Sequence, residues 1–354
     1  MAKRSADRVP VGPVDFVLTW VDDGDPDWQA SRAQHAAAGT GEVARDGDSQ
    51  AMFRDHGMLR YWFRAVEENA PWVRTIYFVT AGQIPDWLDT ENPKIRVVSH
   101  EEIMDPENLP TFNPRAIQAG FDNLEGLAEN FVVFDDDTFL NQPVTPDFFF
   151  PDGLPYGMAL PNALAMRTSH SHALLNVSGL LNEHFDQRQV LRQNWRKWLS
   201  PKYGKELFRS LALLPWPYIL PFTISHLPVP VSRSMMQEAF AAAEEDLRET
   251  SARRFRDPRD MLPIQLAVAW QNVKGHFSPV SRRNIGASFD LGSADVKEMQ
   301  AALLDPSVHT VCYNDSTTAD TVGPAAAVRE AMAQKYPSES SFELPSSRDS
   351  DTPK

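Results

Sequence analysis

One pattern, which occurs twice, constrains this chain more than any other feature: a short apolar run that stops abruptly in a cluster of aspartates. Phe16-Val17-Leu18-Thr19-Trp20-Val21 runs into Asp22, Asp23 and Asp25, and Phe131-Val132-Val133-Phe134 runs into Asp135-Asp136-Asp137. Short aromatic and β-branched runs bounded by turn residues read as buried strands, and strands apolar on both faces belong to a sheet covered on both sides. The runs at 75–80 (TIYFVT) and 95–99 (IRVVS) read the same way, joined through turns at Pro85 and Pro93. Leu59, Trp62, Phe63 and Val66 recur at helical spacing, and Pro71 closes that helix. Further helices are expected over 116–129, 235–247 and 261–273, with a helical, irregular region over 154–225 that carries Trp195 and Trp198 on a basic helix. Strands alternating with helices define an α/β fold with a mostly parallel twisted sheet.

In open α/β sheets, ligands bind beyond the carboxyl ends of the strands. Carboxylates clustered there supply hard oxygen donors for Mg²⁺ or Mn²⁺, ions that commonly bridge to substrate phosphates. Aspartate also favours turns and helix caps, which explains the first cluster equally well. Three consecutive aspartates after a buried strand repel one another, so a purely structural role there is costly. His226 lies in Ser225-His226-Leu227-Pro228-Val229-Pro230, where the prolines hold an imidazole rigidly. A single histidine is as easily structural. The run 250–256 (TSARRFR) concentrates cations, and arginine offers phosphate oxygens a bidentate fork, although a solvated helix face is an equal reading. Asn314-Asp315 follows Val311-Cys312-Tyr313 as a third polar pair at a strand end.

Length and charge narrow the class. The 354 residues suit one large domain or two modest ones. A formal charge of −14 argues against broad binding to nucleic acid. The single cysteine, Cys312, excludes an intrachain disulfide framework and fits a reducing compartment. Residues 1–10 carry Lys3, Arg4 and Arg8 with no apolar core after them, so no signal peptide is expected. The longest apolar run, 211–224 (LALLPWPYILPFTI), is broken by Pro215, Pro217 and Pro221 and is too short to span a bilayer. It reads as a buried connector; the competing reading is a membrane-surface or lipid-acceptor contact through Trp216 and Tyr218. Residues 1–13 are expected to be flexible, about 30–50 to form a mobile surface insertion, and 344–354 a disordered tail. Walker, GxGxxG, HExxH and GxSxG motifs are missing from the sequence.

Taken together, these residues resemble the Stealth proteins. Asp15-Phe16-Val17-Leu18-Thr19-Trp20-Val21-Asp22, with Asp25, Pro26 and Trp28, looks like the first conserved region of that family. The second is similar to Arg54-Asp55-His56, Leu59-Arg60-Tyr61, Arg64, Ala70-Pro71-Trp72-Val73, Pro110-Thr111-Phe112-Asn113 and Phe134-Asp135-Asp136-Asp137. The third resembles the stretch from His226 to Arg233, then Thr250-Ser251, Phe255-Arg256 and Asp260. The fourth looks like Cys312-Tyr313-Asn314-Asp315 through Tyr336-Pro337 to Glu343, so the resemblance covers 14–343 as one catalytic domain. Four positions depart from the family pattern: Asp135 stands where the family has Asn, Met58 where it has an acid, and Pro114 and Gln118 where it has Ser and Glu.

The resemblance implies a nucleotide-sugar-transferase-like core that transfers a sugar 1-phosphate from a nucleotide-sugar donor, a UDP-sugar by expectation, to a sugar hydroxyl. The product would be a phosphodiester of a surface or capsular polysaccharide, made in the cytoplasm or at the inner face of the plasma membrane. It assigns catalysis to His226, Arg256, Asp136 and Asp137, and a Mg²⁺ or Mn²⁺ ion to Asp136, Asp137 and Asp315. Substrate binding falls to Thr19, Trp20, Asp22, Asp25, Arg60, Asn113 and Asn314. Expected partners are the donor and a glycan acceptor, with no nucleic acid; a peripheral membrane contact and a homo-oligomer stay open. The alternatives are a metal-dependent glycosyltransferase releasing nucleoside diphosphate and a non-catalytic glycan-binding subunit.

Overall fold

The computed structural model describes residues 11–38, 53–54, 56–315 and 320–345. Ten strands are described: β1 (Val14–Thr19), β2 (Ile76–Thr80), β3 (Ile95–Ser99), β4 (Asn130–Phe134), β5 (Thr138–Leu140), β6 (Tyr156–Gly157), β7 (Val229–Ser232), β8 (Ser278–Pro279), β9 (Gly286–Asp290) and β10 (Thr310–Asn314). The central sheet has the order β3-β2-β1-β4-β7. Its first four strands are mutually parallel, and β7 runs antiparallel to β4. The chain therefore builds outward from β1 to β3 on one side and returns to place β4 on the other. That reversal between β1 and β4 is a topological switch point.

Thirteen helices surround the strands: α1 (Pro26–Ala38), α2 (Leu59–Asn69), α3 (His100–Ile103), α4 (Pro114–Ala119), α5 (Pro146–Phe149), α6 (Ser169–His184), α7 (Gln187–Trp198), α8 (Glu206–Leu213), α9 (Arg233–Ala242), α10 (Glu244–Ser251), α11 (Pro263–Lys274), α12 (Val296–Leu304) and α13 (Val322–Lys335). Alternate strand residues feed two cores. Phe16, Leu18, Phe78 and Phe134 pack with α2, α5, α12 and α13, whereas Val17, Val79, Phe131 and Val133 pack with α4, α6, α9 and α11. On α2 the predicted stripe of Leu59, Trp62, Phe63 and Val66 is the buried face.

Two smaller sheets complete the fold. β10 pairs antiparallel with β5 and parallel with β9, and β6 pairs with β8. Because β5 begins straight after Asp137 and Cys312 pairs with Thr138, the end of β10 is carried back beside the aspartate run. Among the described residues no helix is long and apolar enough to cross a membrane.

Several elements differ from expectation. Residues 30–38, read as part of a surface insertion, continue α1, and 39–50 lie outside the described residues. The helix expected over 116–129 stops at Ala119, and at its end Gly120 packs so closely on α3 that a Cβ would sit 2.5 Å from the Ile103 carbonyl oxygen. The 235–247 helix is two helices, parted at Ala243 with φ −112° and ψ 21°. The run 211–224 is not uniformly buried: Ile219 and Phe222 are, but Leu211, Trp216 and Tyr218 are exposed. Of the segments expected to be flexible, 1–10 and 346–354 lie outside the described residues, while the Leu344 N–H donates to the Trp87 carbonyl.

Candidate active site

A cleft of about 300 Å³ opens at the switch point. Thr19 and Trp20 enter it from the end of β1, and Asp135, Asp136 and Asp137 from the end of β4. Since β7 runs the opposite way, with Val229 opposite Val133, the residues just before β7 arrive at this same end of the sheet. His226 reaches the cleft by that route. Asn314 and Asp315 arrive from β10, and Arg256 from the loop after α10. Segments as far apart in the chain as Thr19 and Asp315 thus meet because one strand reverses direction and a small sheet folds back.

The loop bearing Arg256 is held from beneath. Asp260 is wholly buried and accepts hydrogen bonds from Asn113 Nδ2 (3.1 Å), Arg115 Nη1 (3.2 Å), Arg253 Nη1 (3.3 Å) and its own loop's Asp257 N–H (2.9 Å). Phe112 stacks on Phe255 with ring centres 5.3 Å apart, and its N–H donates to the Arg254 carbonyl. Buried charges need such partners, and here they convert a flexible loop into a fixed mount for a guanidinium.

The carboxylates have unequal surroundings. Asp135 and Asp137 are ringed by protein while keeping surface that faces the cleft. Loss of bulk water pushes the Asp135 carboxyl up, and the electrostatic influence of the neighbouring His226 and Arg256 pulls it back. Burial and repulsion from Asp135 and Asp315 push Asp137 up to about 7, against a hydrogen bond from Cys312 Sγ at 3.4 Å. The Cys312 thiol is itself driven upward by burial, so it is a packing residue and a weak donor, not a nucleophile. Asp315 Oδ2 is ion-paired with Arg54 Nε and hydrogen-bonded to His56 Nε2, each at 3.0 Å.

Among the described residues no three His, Cys, Asp or Glu side chains converge into a ready-made metal cage. The donor set still fits a hard divalent cation. Crowded carboxylates that resist ionisation together are relieved by a cation, and Mg²⁺ typically takes one or two carboxylates and completes its shell with water and substrate phosphate.

Eight of the residues named from the sequence line this cleft: Thr19, Trp20, Asp136, Asp137, His226, Arg256, Asn314 and Asp315. Four others do not. Asp22 and Asp25 fasten the turn before α1, where Gln83 donates to the Asp25 carboxylate (2.8 Å) and Asp25 accepts the Asp27 N–H (2.8 Å). That bond to Gln83 holds the Asp25 carboxyl below its ordinary value. Arg60 points away, to Glu343 and over the Trp87 ring. Asn113 is wholly buried and caps α4 while supporting Asp260. Sequence reasoning gave no role to Arg54, His56, His100, Gln118 or His170, which also line the cleft. His100 had a signal, standing immediately after a strand; the others belong to loops and helices with no periodic mark.

Fold and cleft together define a class: an open α/β protein whose switch-point cleft is lined by carboxylates, imidazoles and guanidiniums, suited to phosphorylated ligands. Residues 12–35, 52–155 and 225–266 match Stealth protein conserved regions 1, 2 and 3. The chain belongs to the Stealth family. It is 34% identical to the capsular polysaccharide phosphotransferase WcwK of Streptococcus pneumoniae over 93% of this chain and 98% of that protein. It is 35% identical to the exopolysaccharide phosphotransferase cps2G of Lactiplantibacillus plantarum, over 93% and 96% of the two chains. The receptor polysaccharide phosphotransferase WefC of Streptococcus oralis is also 35% identical, over 94% and 99%. The three matched regions supply every cleft residue except His170, Ile224 and the 313–315 strand end.

Proposed function

We propose that this protein is a polysaccharide phosphotransferase that moves a sugar 1-phosphate from a nucleotide-sugar donor to a sugar hydroxyl. The reading rests on the convergence of Asp135–Asp137, His226, Arg256 and Asn314-Asp315 in one cleft. It is supported by alignment of nearly the whole chain with proteins named as polysaccharide phosphotransferases. In the reaction, the acceptor hydroxyl oxygen bonds to the phosphorus that bears the sugar. The bridging P–O bond to the nucleoside monophosphate breaks, and that group leaves with the electron pair.

Phosphoryl transfer asks a protein chiefly for positioning and charge stabilisation. His226, held by its prolines beside Asp135, takes the hydroxyl proton. Arg256 grips the non-bridging oxygens of the transferred phosphate from its braced loop. Thr19, Trp20 and Asn314 flank the donor, while Asp22, Asp25 and Asn113 act from outside the cleft by shaping its walls. Asp136, Asp137 and Asp315 would hold Mg²⁺ or Mn²⁺, which when bound neutralises charge on the diphosphate. A nucleotide donor and a chain with a single cysteine suit a cytoplasmic site of action.

Product analysis tests the reading. Purified protein with Mg²⁺, a panel of nucleotide sugars and short glycan acceptors should release nucleoside monophosphate only when acceptor is present. His226→Ala or Asp136→Ala should slow turnover by roughly 10²–10⁴-fold. Release of nucleoside diphosphate would instead make the protein a glycosyltransferase, and unchanged turnover in a folded variant would remove that residue from the mechanism.

A further inference from the structure

The stretch between the second and third conserved regions carries surface features that the reaction does not use. Ten large hydrophobic side chains are exposed among the described residues, and five of them fall within 195–218: Trp195, Phe208, Leu211, Trp216 and Tyr218. Those five include every aromatic of the ten. Isolated exposed apolar residues are ordinary, but a cluster of this kind marks an interaction surface.

Charge singles out the same stretch. Residues 187–224 hold seven Lys and Arg against one acid, Glu206, a net +6 inside a chain of net −14. On α7, the exposed Arg188, Arg192, Trp195 and Arg196 follow helical i, i+4, i+7, i+8 spacing, so they share one face. On α8, Phe208 and Leu211 form an outward stripe that begins beside the exposed Lys205. The two helices and the 218–220 segment enclose one small cavity, lined from α7 by Leu191 and Trp198 and from α8 by Ser210 and Leu213. The basic and aromatic faces therefore belong to a single lobe.

We propose that this lobe docks the protein on an anionic lipid bilayer. Trp, Tyr and Phe partition into the headgroup boundary, and arginines beside them are drawn to acidic lipids. An anionic bilayer offers negative charge and an apolar layer at one surface, which matches arginines beside exposed aromatics. Continuity with the cleft gives docking a purpose. From Tyr218 the chain passes to Phe222, Ile224 and Ser225 along an apolar chamber of about 80 Å³ that shares Ile224, Ser225, Val229 and Gln265 with the cleft. A docked lobe thus sits a few residues along the chain from His226.

The test is co-sedimentation of full-length protein with vesicles of phosphatidylcholine alone or mixed with phosphatidylglycerol, at low and high salt. Wild type should partition onto the mixed vesicles, far less onto neutral ones, and come off in salt. Each arginine near an anionic surface contributes about fivefold, so R188A/R192A/R196A should weaken partitioning roughly a hundredfold. F208S/W216S should weaken it with the charge intact, and both variants should keep wild-type nucleotide binding. Unaltered partitioning in both variants, or none for wild type, overturns the proposal. So does a concentration-dependent dimer in sedimentation velocity that the same variants abolish, which would assign the lobe to a second copy of the chain.

Discussion

His100 follows β3 directly and is 5% exposed, and among the described residues its Nε2 has no hydrogen-bond partner. Burial therefore holds the imidazole down to about 4, so it stays neutral in the folded protein at pH values where an unfolded chain, with its ordinary value of 6.5, is protonated. Between those values the unfolded state binds more protons, and stability falls as pH falls. The urea midpoint of wild type should drop across pH 6.5 to 4 with a His100 contribution of about 1.4 kcal/mol per pH unit, and His100→Gln should flatten that slope. Equal slopes for the two proteins would dismiss the effect. At this scale the sequence disclosed residue types better than roles. The aspartate run stood out because three consecutive carboxylates at a strand end have few cheap structural uses, whereas His226 took its role from the family resemblance. Asn113 was read as a substrate ligand, yet it is buried against Asp260; an amide's partner is not written in its neighbours along the chain.

The segment after α13 acts as a clasp on α2. Arg64 donates to both carboxylate oxygens of Glu343 (2.7 and 2.8 Å) and to the Tyr336 carbonyl (2.9 Å), while Phe342 packs on Phe63 with ring centres 5.6 Å apart. Arg60, expected at the substrate, joins the same carboxylate at 3.4 Å. The Glu343 side chain is 2% exposed, so removing it strands Arg64 in a nearly closed site. Glu343→Ala should cost about 3–5 kcal/mol in urea unfolding. A loss under about 1 kcal/mol would show the pair to be worth no more than a surface ion pair. Short apolar strands and the α2 stripe were readable because a single period governs each. Element ends were less readable: α4 ends at Ala119 where Gly120 meets α3, a contact between segments that local propensity does not encode.

At the scale of the molecule, one core holds both Phe16, Trp62 and Phe134 of the main sheet layer and Phe139, Met299 and Val311 around the small sheet. The parts that flank the cleft are thus not independent bodies. Heat should unfold the protein in one transition with calorimetric and van't Hoff enthalpies that agree, and a resolved second peak would mean that the small sheet melts alone.

By itself the sequence determined the class of fold and the family, since buried parallel strands, a helical stripe and aspartates at strand ends are local patterns with local causes. It also determined which chemistry was available. Only the tertiary structure decided which residues share the cleft. The antiparallel course of β7 brings His226 to the β4 aspartates, the fold-back of β10 brings Asp315, and the buried Asp260 network aims the loop of Arg256. The same tertiary packing turned Arg60 to the clasp and left Trp216 and Tyr218 on the surface. Side-chain direction and burial depend on partners remote in the chain, and no short-range period records them.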